Sequence, residues 1–171
     1  MSTLSYGMCL SDQNFLGRNE KLSASFSTEY NKIASLNYQN PRLMDKDIFL
    51  HTTFSYRDSH NLSNSSIEFE QINRLASPSL GKRFGLFQTL IGKIGYQLWQ
   101  VPDSLLGRKV SPDGTNRFLE FGLQYMYDVR NVREYLTDGF YFDAATMNIG
   151  FGGESTIQTF TSATDIRWYT I

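Results

Sequence analysis

Phe118-Leu119-Glu120-Phe121-Gly122-Leu123-Gln124-Tyr125-Met126-Tyr127-Asp128 alternates residue by residue. Leu119, Phe121, Leu123, Tyr125 and Tyr127 share one parity, while Glu120, Gly122, Gln124, Met126 and Asp128 share the other. Successive side chains of a strand point to opposite faces, whereas a helix would mix the two sets on every turn. The segment therefore reads as a β-strand with one apolar face. Asp47 to Arg57 repeats it, setting Ile48, Leu50, Thr52, Phe54 and Tyr56 against Phe49, His51, Thr53, Ser55 and Arg57. Shorter copies set Leu22, Ala24 and Phe26 against Ser23, Ser25 and Ser27, and Ala34, Leu36 and Tyr38 against Ile33, Ser35 and Asn37. No stretch competes as a convincing amphipathic helix.

The 171 residues suffice for one domain, and nothing in the length demands two. Hydrophobic residues make up 40% of the chain, yet mean hydropathy is -0.36, because the apolar material is weighted towards 13 Phe and 10 Tyr, with 13 Gly and 4 Pro. An aromatic-rich, Gly-rich, alternating chain fits a membrane β-barrel, whose apolar band faces lipid and whose aromatics sit at the interfaces. A soluble β-sandwich or small barrel holding an apolar ligand is the alternative. A net charge of -1 offers no basic field for nucleic acid. The lone Cys9 excludes an intramolecular disulfide framework and a multi-cysteine zinc site. No run of about 18 apolar residues exists for a transmembrane helix, and no basic-then-apolar leader opens the chain. The expectation is either an intracellular protein or an excerpt of a longer precursor.

Alternation and turn signals predict about nine antiparallel, mostly sequential strands, near Leu4 to Ser11, Lys21 to Glu29, Asn31 to Gln39, Asp47 to Arg57, Ser65 to Asn73, Phe84 to Trp99, Arg117 to Val129, Phe140 to Gly152 and Ser155 to Tyr169. Gln100 to Asn116 reads as the longest loop, with short turns expected at the opposite end. Phe84 to Trp99 and Arg117 to Val129 match or exceed the roughly 9 to 11 residues that cross a bilayer. On the membrane reading, Leu36, Tyr38, Leu50, Phe54, Leu90, Ile94, Leu119, Phe121, Leu123 and Tyr125 face lipid. Trp99, Trp168, Tyr125, Tyr127, Phe140 and Tyr141 are the candidates for interfacial girdles.

Three stretches carry a family resemblance. Asp12-Gln13-Asn14-Phe15-Leu16-Gly17-Arg18-Asn19 and Leu36-Asn37-Tyr38-Gln39-Asn40-Pro41-Arg42-Leu43 each precede a strand. Far downstream lie Tyr127-Asp128-Val129-Arg130-Asn131 and Tyr135-Leu136-Thr137-Asp138-Gly139. In this order and spacing they resemble the barrel of the BamA family of outer-membrane assembly proteins, with Asn14, Phe15, Leu16, Gly17, Asn40, Pro41, Asp128, Arg130, Thr137, Asp138 and Gly139 as the matching turn residues. Asn19 stands where that family more often has a second Gly. The resemblance implies about strands two to ten of a sixteen-stranded barrel, with the POTRA domains, first strand and closing strands absent. It implies an outer membrane, bacterial or of a derived organelle. It further implies contact with membrane lipids, unfolded outer-membrane protein substrates, and accessory lipoproteins acting through the missing POTRA domains. A related secretion or translocation barrel is the alternative within the superfamily.

No enzymatic constellation stands against this. Gly-x-Ser-x-Gly, Walker-type and His-Glu-x-x-His patterns are missing, so no catalytic, cofactor or metal residue is assigned. A membrane barrel with lipase activity would lack a recognisable nucleophile and base. His51 reads as a lumen residue, and His60 as no partner for it in a metal site. Glu68 and Glu70 read as a solvated lumen wall instead of an acid–base pair. Gly150, Gly152 and Gly153 precede no helix and read as a strand end, not a phosphate loop. Arg130 and Arg133 fit lumen carboxylates, because the resemblance sets their turn at the periplasmic end, away from lipopolysaccharide.

Overall fold

The computed structural model describes residues 6–28, 31–62, 68–100, 114–131, 137–150 and 158–170. Nine strands are present: β1 (Tyr6–Phe15), β2 (Glu20–Thr28), β3 (Lys32–Asn40), β4 (Ile48–Leu62), β5 (Glu68–Phe84), β6 (Gln88–Gln100), β7 (Thr115–Asp128), β8 (Gly139–Ile149) and β9 (Thr159–Tyr169). A single 3-10 turn, Leu43–Asp45, links β3 to β4. The strands form one sheet in chain order, and every neighbouring pair is antiparallel. The predicted strand count and order hold. A soluble sandwich would need a second sheet over the apolar face, and these strands make only one.

Pairing register gathers the alternating residues into two surfaces. One row runs Leu10, Ala24, Leu36, Phe54, Ala76, Tyr96, Leu119. The row beside it on the opposite face runs Ser25, Ser35, Ser55, Leu75, Gln97, Phe118. The polar face is concave: one depression there, lined by His51, Ser79, Lys93, Gly122, Ala145 and Thr161, reaches from β4 to β9. The sheet therefore curls with its apolar side outward. Phe118 is the only buried large hydrophobic residue among those described, while Phe54, Ile94, Phe121 and Leu123 are each about half exposed. An ordinary soluble core is not built.

Several strand bounds differ from expectation, among them that of β4, which runs on to Leu62 past the expected end at Arg57. The sequence suggests a strand ending at Asn73 and another starting at Phe84, but β5 runs unbroken through Pro78 to Phe84. Pro78 lacks an N–H, and the β5–β6 pairing is interrupted between Ala76 and Ser79 while the register on either side is the same. The intervening turn sits at residues 85–87, where Gly85 takes a φ of 67°. β1 also extends past Ser11 to Phe15, through an irregularity between Asp12 and Phe15.

Turns fall at two ends. The β1–β2, β3–β4, β5–β6 and β7–β8 connections leave from one, called the turn end, and the β2–β3, β4–β5, β6–β7 and β8–β9 connections leave from the other, the loop end. The stretch from Gln100 to Asn116, expected as the longest loop, lies between β6 and β7, and its residues 101–113 are outside the described residues. At the loop end β4 and β5 stay paired out to Leu62 and Glu68, beyond the last pairs made by β3 and β6.

Candidate functional site

The outward face is the first candidate. Leu36, Tyr38, Leu50, Phe54, Leu90, Ile94, Leu119, Phe121, Leu123 and Tyr125 all fall on it, brought together from four strands by the register. No charge interrupts its outward positions over Ile48–Tyr56, Ala76–Leu80, Leu90–Leu98 or Leu119–Tyr127. Towards the turn end, Tyr127, Phe140 and Trp168 lie on neighbouring strands with ring centroids 6.2 Å and 5.9 Å apart, and Tyr125 meets Phe142 at 6.2 Å. These outward aromatics form a continuous patch at the edge of the apolar zone.

Trp99 and Tyr141 do not join that patch. Trp99 shares the parity of Lys93 and Gln97 on the concave face, where it packs edge-on against buried Phe118 at 5.6 Å. Tyr141 also points inward, with its ring 4.2 Å under the Arg130 guanidinium and its hydroxyl donating to Asp143 at 3.0 Å. In both cases strand parity overrides aromatic character. Glu70 is a further correction: it pairs with His60 on the outward parity of Ile72 and Arg74, not on a lumen wall. His51 does lie on the concave face, beside Thr53 and Ser79. Arg133, Gly152 and Gly153 lie outside the described residues.

The turn residues have definite tasks. In the β1–β2 turn, Leu16 (φ 58°) and Gly17 (φ 69°) are successive left-handed residues, closed by Arg18 N donating to the Phe15 carbonyl at 3.4 Å. Such primed turns match the twist of a hairpin, and a Leu there is costly compared with Gly. The Asn14 side chain offsets this by accepting from Asn19 N at 2.7 Å, and Asn19 itself takes a φ of 57°. At the end of β3, Asn40 accepts from Arg42 N and donates to Glu20, which is buried; Arg83 donates to the Pro41 carbonyl.

The β7–β8 connection is the most elaborate. Asp128 accepts two bonds from the Arg130 guanidinium at 2.8 and 2.6 Å and a third from its backbone N at 3.1 Å. This pairing raises the already high pKa of Arg130, so the arginine stays charged. Asn131 donates to Thr137 Oγ1 and accepts from the backbone N of Thr137 and Asp138. Gly139 has a φ of 123°, and a Cβ there would lie 2.5 Å from Arg130 Cα. Only glycine fits where the chain crosses Arg130 so closely.

Sequence reasoning missed what lies next to this connection. Asp143 accepts from both Tyr141 and the Gln124 amide, while Arg167 grips Asp165 and approaches the Tyr141 ring at 5.7 Å. The only local hint is the same-parity spacing of Tyr141 with Asp143 and of Asp165 with Arg167. Nearer mid-strand, Lys93 Nζ lies 3.3 Å from the buried Glu120 carboxylate. Lys93 crosses over Gly122 and Glu120 over Gly95, glycines that leave room for the diagonal pair. No group of three metal-ligating side chains occurs among the described residues.

Comparison with known proteins agrees with this geometry. The curated proteins include no match to this chain. Among solved structures, BamA from Haemophilus ducreyi lacking POTRA domains 1–3 superposes with a TM-score of 0.60 at 17% identity, over 86% of this chain and 31% of that one. The chain thus spans about a third of that structure and shares its fold, as the resemblance read from the turn motifs implied. A match to the Omp85 superfamily domain covers residues 14–170, from the first turn to the end of β9, and the chain belongs to the Omp85 superfamily.

Proposed function

We propose that this chain is a segment of an outer-membrane β-barrel that assists insertion of other outer-membrane proteins. The observation that carries the reading is the inversion of the sheet: Phe54, Ile94, Phe121 and Leu123 are exposed on its convex side while Lys93, Glu120, Gln124 and Asp143 line its concave side. Water would penalise such a surface, whereas hydrocarbon outside and water inside favour it. Superfamily membership supports the same reading.

The mechanism is physical instead of catalytic. β1 is an unpaired edge with nine of its ten residues exposed, and β9 is the other edge. An edge presents unpaired N–H and C=O groups, to which an incoming strand adds by β-augmentation. We assign the remaining strands of a barrel, POTRA domains and accessory lipoproteins to other parts of the assembly. The clients are unfolded outer-membrane proteins, and the outward face contacts membrane lipid.

The test dilutes the chain from urea into plain buffer and into detergent micelles, followed by far-ultraviolet circular dichroism and a heated-versus-unheated gel shift. β signal and heat-modifiable mobility are expected only in detergent. Cooperative folding in plain buffer would refute the membrane reading.

A further inference from the structure

The outward face changes character at β8 and β9. Register sets Leu123 of β7 opposite Thr146 of β8, and Thr146 opposite Ser162 of β9. In the next row towards the loop end Phe121 faces Asn148, and in the next row towards the turn end Tyr125 faces Ala144, which faces Thr164. All of these lie on the outward parity. The apolar residues of β7 therefore give way, at the same level, to three hydroxyls and an amide. On the inward parity the same two strands carry Ala145, Met147 and Ala163, so the polar groups have moved to the outer side.

Apolar residues border this patch on three sides. Phe121, Leu123 and Tyr125 flank it along β7, Phe160 stands opposite Asn148 towards the loop end, and Phe142 stands opposite Ile166 towards the turn end. The patch is thus an island inside the apolar zone, at the level of Leu123 in the middle of the outward Leu119–Tyr127 run. Ala144, Thr146, Ser162 and Thr164 are short, and the rings of Tyr125, Phe142 and Phe160 around them make the island a shallow notch. Among the described residues the Thr146, Ser162 and Thr164 hydroxyls have no hydrogen-bond partner, and Asn148 Oδ1 is covered yet unbonded. Hydrocarbon supplies no partner either, so only another polar group at the same depth can satisfy them.

Resting on the membrane reading above, we infer that the Thr146–Asn148–Ser162–Thr164 notch is a docking surface for a second copy of this chain within the membrane. Hydroxyls and an amide both donate and accept, so the notch is complementary to itself. No charge lies among its residues to repel its own image. A two-fold axis along the membrane normal keeps every residue at its own depth and sets Thr146, Ser162 and Thr164 of one copy against the same three of the other. Their short side chains let the two walls approach closely, as small residues do between membrane helices. The contact is face to face, and it leaves the backbone edge of β1 to strand addition.

The test folds the full chain into lipid vesicles at a series of lipid-to-protein ratios, with C9S throughout, and confirms folding by heat-modifiable mobility. A membrane-permeant sulfhydryl cross-linker then compares S162C with L80C, which lies in the same outward row four strands away. S162C is expected to link copies at dilutions where L80C does not. Adding T146V and T164V keeps the shape of the notch and removes two hydroxyls. At about threefold per lost hydrogen bond, linking through S162C should then need about tenfold more protein per lipid. T161V, which removes an inward hydroxyl of β9, should leave linking unchanged. Equal linking by S162C and L80C overturns the docking surface, as does an equal loss from T161V. Linking that T146V/T164V leaves unchanged also overturns it, because pairing through strand edges uses backbone groups and is blind to these hydroxyls. A chain that never becomes heat-modifiable overturns the membrane reading and the docking surface together, whereas a folded chain that stays unlinked at every ratio overturns the docking surface alone.

Discussion

Leu123 offers the sharpest separation between lipid and water on the outward face. It sits at the centre of the outward Leu119–Tyr127 run, four residues from each end. At about 3.4 Å per residue and a strand tilt near 40°, that is roughly 10 Å of depth on either side, close to the middle of a band about 25 Å tall. Leu123→Lys therefore places an ammonium near the bilayer midplane, at a cost of about 2–4 kcal/mol, or roughly 30- to 700-fold in the folded-to-unfolded ratio. Were the same face wetted, Leu123 is already 46% exposed, and the substitution would cost within about 0.5 kcal/mol. The adjacent Gln124→Lys is the control, because Gln124 points inward and bonds Asp143 at 3.0 and 2.8 Å. A lysine there keeps the same partner, so its cost stays below about 1 kcal/mol. The assay is a urea titration of the chain in lipid vesicles, with folded fraction read from heat-modifiable mobility. Equal midpoints for the two variants, or a more harmful Gln124→Lys, would refute the assignment of faces.

Three further substitutions test the turn end and the concave face. Gly139→Ala places a Cβ against Arg130 Cα and the Val129 carbonyl at a φ of 123°, and is expected to cost at least about 1–3 kcal/mol from backbone strain, seen as a lower urea midpoint. Gly81→Ala drives a Cβ into the Phe49 ring that covers it; Phe49→Ala should relieve most of that loss, so a double-mutant cycle with purely additive costs would count against the contact. Arg130→Lys keeps the charge but gives up the paired bonds to Asp128 and the planar contact with Tyr141. Its expected cost is about 1 kcal/mol, discounted for solvent from the roughly 1.5–3 kcal/mol of a charged hydrogen bond, and slower closure of the β7–β8 connection should accompany it in refolding kinetics.

Parity was legible because it is a local property. Leu119 to Tyr127 and Ile48 to Tyr56 announce their faces without knowledge of any partner, and the ten outward residues followed from parity alone. Residue type is a weaker guide than parity. Trp99 and Tyr141 are aromatic as girdle residues are, yet Trp99 shares the parity of Lys93 and Gln97 and packs inward on Phe118. Pro78 concealed the middle of β5, since a proline ordinarily marks an edge or an end, yet β4 still pairs with it through Thr52. The inward cluster of Gln124, Tyr141, Asp143, Asp165 and Arg167 was invisible for a different reason. It depends on how three strands are set against one another, and register is a non-local property that no single strand encodes.

Register also states what the open sheet lacks. With nine strands joined by successive hairpins, β1 and β9 run in the same direction. Bringing those two edges together would create a parallel seam in an otherwise antiparallel wall. An added strand on either edge meets no such conflict, because it can run antiparallel to its neighbour. The two edges thus favour strands supplied from elsewhere over each other. The same property fits an insertion device, in which one edge must accept a foreign strand and later release it. Its consequence for the chain alone is self-association: isolated copies in micelles are expected to cross-link through Cys9, on the exposed edge strand β1, more readily than through a cysteine placed at Ser55 in the sheet interior. Equal cross-linking at the two positions would show that the β1 edge is not where copies meet.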